Sequence, residues 1–208
     1  MRSFFLAVCI TATCVPISAD EWNSIRGNNG EGEWTGKKLL SQSEDVALRV
    51  RWKKQIGTGY SSVVVSDGKV LTMYSSGERD LVGCFDAKNR YTVCTFHMEP
   101  MFTGANGSFD GPSATPIVDG ETVYCLSARG NLFAFNLQDG SEAWTCDLAS
   151  EEESALPMYG FSTKPVMVGE IRCVLAGSEK ELCFDWTTNP EKRNGTPEAE
   201  GFPRRSQC

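Results

Sequence analysis

Twenty Lys and Arg against 27 Asp and Glu leave this 208-residue chain with a net charge of −7. An acidic chain without a basic stripe argues against nucleic acid and anionic membrane surfaces as partners, and a single histidine, His97, rules out a multi-histidine metal site. Beyond the first residues no apolar run is long enough to span a bilayer.

In chain order, the first element is a leader. Arg2 precedes a mostly apolar stretch over residues 4–17, and Ile17-Ser18-Ala19 offers small residues before Asp20. This pattern predicts a secretory signal peptide over residues 1–19 and an exported, periplasmic or extracellular product. Cys9 after Leu6-Ala7-Val8 loosely resembles a lipidation site, but its apolar stretch of about five residues is short of the usual ~7–15. Cleavage would also remove Cys14, leaving Cys84, Cys94, Cys125, Cys146, Cys173, Cys183 and Cys208. An odd number cannot pair completely within one chain. Their spacing lacks a CxxC pair or a Cys/His cluster, so they read as small apolar strand residues, with one or two disulfides as the alternative.

The body of the chain, residues 20–185, repeats a unit of about fifty residues. The copies are expected over residues 60–96, 112–148 and 161–185, with Phe85-Asp86, Phe135-Asn136 and Phe184-Asp185 in step. Each opens with a β-rich hairpin, predicted to turn at Asp67-Gly68 and Asp119-Gly120. A third strand follows near residues 81–86 or 132–136. A four-residue turn (AKNR or LQDG) then leads to a fourth strand ending at Cys94 or Trp144. No segment holds a 3.6-residue apolar period over ten or more residues, so the chain reads as all-β. Residues 186–208 are charged and rich in Pro and Gly and read as a disordered polar tail.

Four antiparallel strands per repeat is the layout of a propeller blade, whose two apolar faces are buried by its neighbours. The segments LFAFNLQDGSEAW, GTGYSSVVV, GPSATPIVDG and PMYGFSTKP, with Trp22-Asn23-Ser24-Ile25-Arg26-Gly27 near the start, resemble secreted propellers built from pyrroloquinoline-quinone-type repeats. That class includes the propeller lipoprotein of the outer-membrane β-barrel assembly machinery. CFDAKNRYTVC is a worn copy, with Arg90 at the expected turn glycine and Cys94 at the expected tryptophan. The resemblance implies a partial β-propeller of about three blades, open or incomplete, since closure takes about 4–8. Three explanations stand open: truncation relative to a longer ancestor, completion of a ring by self-association, or a short open array.

The resemblance implies two functions. One is a non-catalytic binding or scaffold module of the bacterial cell envelope, holding a protein or envelope polymer on its blade-edge loops. The other is a quinoprotein-type oxidoreductase, or a fragment of one, with PQQ and Ca²⁺ on the propeller axis. A fragment without independent activity is a third reading. The sequence lacks the vicinal Cys-Cys ring of many quinoproteins, and the repeat by itself does not bring a cofactor. No GxSxG elbow accompanies His97, which reads as an exposed loop residue. Asp67, Asp119, Asp86 and Asp185 are explained by turns, and Glu151-Glu152-Glu153 by a solvated loop. Gly57-Thr58-Gly59 lacks the following helix of a phosphate loop and reads as the lead into a blade. The candidate contacts are aromatic: Tyr60, Phe109, Tyr159 and Phe161 on blade-edge loops. Asn106-Gly107-Ser108 and Asn194-Gly195-Thr196 match the glycosylation pattern; the bacterial character of the family makes both chance matches.

Overall fold

A computed structural model describes residues 21–28, 30–34, 49–104, 109–151, 156–168 and 171–174. The leader (1–19), the polar tail (186–208), Cys183, Cys208 and both Asn-Gly-Ser/Thr sites lie outside the described residues or depend on residues outside them.

The described chain is all-β apart from one helical turn, α1 (Leu148–Glu151). Strands β1 (Val64–Ser66), β2 (Lys69–Ser76), β3 (Arg79–Asp86) and β4 (Thr92–Pro100) form one antiparallel sheet in sequence order. Strands β5 (Ile117–Asp119), β6 (Thr122–Leu126), β7 (Asn131–Asn136) and β8 (Glu142–Asp147) form a second of the same topology. β9 (Val166–Val168) and β10 (Ile171–Cys173) are a hairpin that begins a third.

Local chemistry fixes the turns. In the first hairpin Ser66 faces Lys69, and Asp67 and Gly68 both take positive φ, the type I′ geometry that matches strand twist. The second hairpin departs from expectation by one residue. Asp119 pairs with Thr122, so the turn is Gly120-Glu121, with positive φ at the glycine alone, as a type II′ turn requires. The two β3–β4-type turns are superimposable in their bonding. Asp86 Oδ1 accepts the Lys88 amide at 2.8 Å, as Asn136 Oδ1 accepts that of Gln138 at 2.7 Å. Arg90 and Gly140 then donate their amides back to the Asp86 and Asn136 carbonyls.

The fourth strands run past Cys94 and Trp144, to Pro100 and Asp147. His97 accordingly lies within β4, opposite Leu81 and exposed, rather than in a loop.

Period-two alternation sorts the side chains between two cores. Leu71, Met73, Val82, Cys84, Phe96 and Met98 of the first sheet meet Val123, Cys125, Phe133 and Phe135 of the second. The alternate residues of the second sheet, Tyr124, Leu126, Leu132 and Ala134, with Cys146, meet Phe161 and Val174. Cys84, Cys125 and Cys146 are buried and Cys94 is half-buried, and all four are free thiols. The N-terminal segment runs along the inner edges of both sheets. Trp22 exchanges backbone hydrogen bonds with Val65, and the Val118 amide donates to the Asn23 carbonyl. It thereby covers strand edges that would otherwise be open to pairing. Gly27 is required beneath the Trp22 ring, since a Cβ there would lie 2.9 Å from it.

Candidate binding site on the blade-edge loops

Three of the four aromatic residues singled out by sequence meet on the surface. The Tyr60 and Phe109 ring centroids are 5.4 Å apart, and Phe109 and Tyr159 are 4.8 Å apart in an edge-to-face contact. All three stay exposed, at 57%, 45% and 50%, and Met158 beside Tyr159 is exposed as well. The ladder joins the loops that lead into three successive units. Tyr60 is fixed by its amide, which donates to the Pro112 carbonyl at 2.9 Å. Phe109 holds a φ of 61°, a left-handed conformation unfavourable for a bulky side chain. Strain of that kind concentrates at functional positions. Asp110 anchors the same loop by accepting the Gly104 amide at 3.1 Å.

Phe161 departs from the expectation. It follows Gly160 as Tyr60 follows Gly59, yet it is 3% exposed. Its amide donates to the Ala128 carbonyl, and its ring lies over Gly130, where a Cβ would stand 2.8 Å from it. Phe161 has the second sheet to pack upon. Tyr60 has no preceding four-stranded sheet among the described residues, and its ring turns outward to Phe109.

Below the ladder lies a polar cluster that sequence reasoning did not find. Asp80 is fully buried and accepts hydrogen bonds from the Ser75 hydroxyl and, at 3.1 Å, from the Phe102 amide. Burial pushes its carboxyl above the ordinary aspartate value, while those two bonds and the charge of Arg129 pull the other way. Glu99 accepts from Asn131 Nδ2 at 2.8 Å and stands 3.9 Å from Arg129 Nε. Arg129 lies over the Phe102 ring and donates to the Met101 carbonyl at 3.3 Å. The cluster clamps the β4–β5 connection to both sheets. No signal in the sequence marks it: Ser75 and Asp80 are partners in the β2–β3 ladder, but Glu99, Asn131 and Arg129 come together only when the sheets dock. A neighbouring depression of about 500 Å³, lined by Gln55, Ile56, Thr58, Tyr74, Ser76 and Met101 among others, has no carboxylate, lysine or arginine in its wall.

Among the described residues no three His, Cys, Asp or Glu side chains converge as metal ligands. Trp144 packs on Tyr124 in the second core, and Trp52 donates its Nε1–H to the Ala87 carbonyl at 2.9 Å. No helix among the described residues is long and apolar enough to cross a membrane.

A family model described as outer membrane protein assembly factor BamB matches residues 34–202. No curated protein matches the chain. Among solved structures, BamB from Moraxella catarrhalis is similar at 19% identity and a TM-score of 0.42, over 59% of this chain and 32% of that one. A europium-containing methanol dehydrogenase is similar at 14% identity and a TM-score of 0.46, over 61% and 22%. Quinohemoprotein alcohol dehydrogenase from Comamonas testosteroni is similar at 18% identity and 0.40, over 57% and 17%. The chain thus spans about a third or less of the length of these solved structures.

Proposed function

Because this chain belongs to the family of outer membrane protein assembly factor BamB, we propose that it is an exported, non-catalytic scaffold that holds a protein partner against its blade-edge loops. The observation that carries this reading is the exposed ladder Tyr60–Phe109–Tyr159. Rings of this type bring large contact area at low cost in side-chain entropy, which is why Tyr and Phe are enriched in the cores of interfaces. The strained backbone at Phe109 presents its ring instead of burying it. Export follows from the leader expected over residues 1–19 and agrees with an outer-membrane assembly role. The polar cluster beneath the ladder supports the reading as a brace. Asp80 is held by Ser75 and Phe102 and Glu99 by Asn131, while Glu99 Oε1 is buried with no hydrogen bond and only the Arg129 charge at 3.9 Å, so the brace is tightest at Asp80.

The test is site-specific photocrosslinking in the cell envelope, with the photoreactive residue at position 109 and, as control, at the exposed Tyr91 on the β3–β4 turn. The expected result is a discrete protein adduct from position 109, absent from position 91 and lost in Tyr60→Ser/Tyr159→Ser. Equal adduct patterns from both positions would remove the ladder from the function. Dye reduction that appears only with added quinone and Ca²⁺ would replace the scaffold by an oxidoreductase.

A further inference from the structure

We propose that Cys84 and Cys94 form a cross-strand disulfide site within the first blade. The two residues are direct partners in the β3–β4 ladder, so their side chains leave the sheet on the same face. Both pack in the core between the first two sheets. Directly opposed antiparallel residues have Cα atoms about 4.5–5.5 Å apart, inside the roughly 4.4–6.8 Å that a disulfide spans. The internal repeat supplies a second, independent argument. The equivalent pair in the second blade is Ala134 opposite Trp144. In the first blade both positions of that small–large pair are cysteine; the third copy also carries a cysteine, Cys183, at the first of them, so the distinguishing change is Cys94 where the second blade has its tryptophan.

The two thiols differ in access, which sets the order of the chemistry. Cys84 is fully buried, and burial pushes its thiol up to about 12, so it is not the attacking group at neutral pH. Burial raises the Cys94 thiol as well, but Cys94 is only half-buried, at the sheet margin against Gly140 and the Leu137 carbonyl, where an oxidant can reach it. The Cys94 thiolate attacks a disulfide oxidant, forming a mixed disulfide and releasing one thiol. Cys84 then passes its proton to solvent or to the leaving sulfur, and its sulfur displaces the second thiol. Two protein thiols are oxidised and one external disulfide is reduced to two thiols. The bond closes a short loop around the 86–91 turn and fixes the outermost strand of the blade to its neighbour.

The test uses the full chain incubated with glutathione disulfide, quenched in acid, and mapped under non-reducing conditions. The expected product is a Cys84–Cys94 linked peptide two hydrogens lighter than the reduced pair. It should be accompanied by a Tm about 3–8 °C above that of the reduced protein, the range expected for closing a short loop in a chain of this size. In Cys84→Ala/Cys94→Trp, which installs the pair of the second blade, Tm should no longer respond to reductant. Quantitative maleimide labelling of both residues after the incubation overturns the proposal, as does a map that joins Cys94 to another cysteine. Both results are read on the wild-type chain, so they stand even if the variant does not fold. Because the oxidant is supplied in the tube, the result is also independent of the scaffold reading.

Discussion

The junction between the first and second sheets and the junction between the second sheet and the third hairpin are built on one backbone plan with opposite chemistry. At the first, Ser75 and Asp80 form a buried polar clamp on the Phe102 amide. At the second, the equivalent positions are Ala128 and Gly130, and the space is filled by the Phe161 ring. In both, a glycine of the following loop, Gly111 or Gly160, lies too close to the preceding sheet to carry a side chain. A repeat can therefore keep its docking geometry while exchanging a hydrogen-bonded carboxylate for an aromatic plug. The two solutions should answer differently to pH and to truncation.

The largest effect is expected from removing the plug. Phe161→Ala leaves a cavity over Gly130 and should cost about 3–5 kcal/mol, read by denaturant unfolding. Asp80→Ala should cost less, about 1–3 kcal/mol, mainly by stranding the Ser75 hydroxyl and the Phe102 amide. Titration separates the junctions further. The Asp80 carboxyl is raised by burial, so its contribution is fully present below the ordinary value of 3.8 and is lost as pH rises through the folded-state value. Asp80→Asn should flatten that part of the stability–pH curve, and Phe161→Ala should leave its shape unchanged.

Smaller effects test the two β3–β4-type turns. Arg90 holds a φ of 65° where Gly140 holds 82°. Gly140→Arg should cost about 1–2 kcal/mol, and more if Phe96, 3.1 Å from a Cβ at that site, does not move aside. The reverse change, Arg90→Gly, should gain less than about 1 kcal/mol, since it also removes the Arg90 bond to the Lys53 carbonyl. The smallest stability change is the most informative for function. Phe109→Gly relieves the positive φ and should gain up to about 1 kcal/mol while abolishing the adduct from a photoreactive residue placed at the exposed Met158 beside Tyr159. A gain in melting temperature with a loss of binding would show that strain at Phe109 is kept for contact.

What could be read from sequence was local. The Asp67-Gly68 turn, the Asp86 and Asn136 turn bonds and the strand alternation depend on residues a few positions apart. The second hairpin turn lies one residue beyond the sequence expectation because Asp119-Gly120 and Gly120-Glu121 are both good turn pairs, and only pairing with β6 decides between them. In the first blade the fourth strand outruns the sequence expectation because Thr95-Phe96-His97-Met98 continues the alternation beyond the position where the repeat shows its tryptophan. Tyr60, Phe109 and Tyr159 were legible as loop aromatics, whereas the burial of Phe161 was not, because a loop has no period to tell inward from outward. The Asp80–Phe102 contact closes across the first sheet, and the Glu99–Arg129 contact exists only once the blades dock; neither lies within the reach of a local pattern.

The second sheet is covered on both faces, by the first sheet on one side and by the third hairpin on the other. In a stacked array stability passes only between nearest neighbours, so loss of structure should begin at the outer units and reach β6 and β7 last. Amide exchange should then be slowest at Val123–Leu126 and Leu132–Phe135, and the ladder aromatics, carried on loops that lead into three different units, should part company before the centre of the array opens.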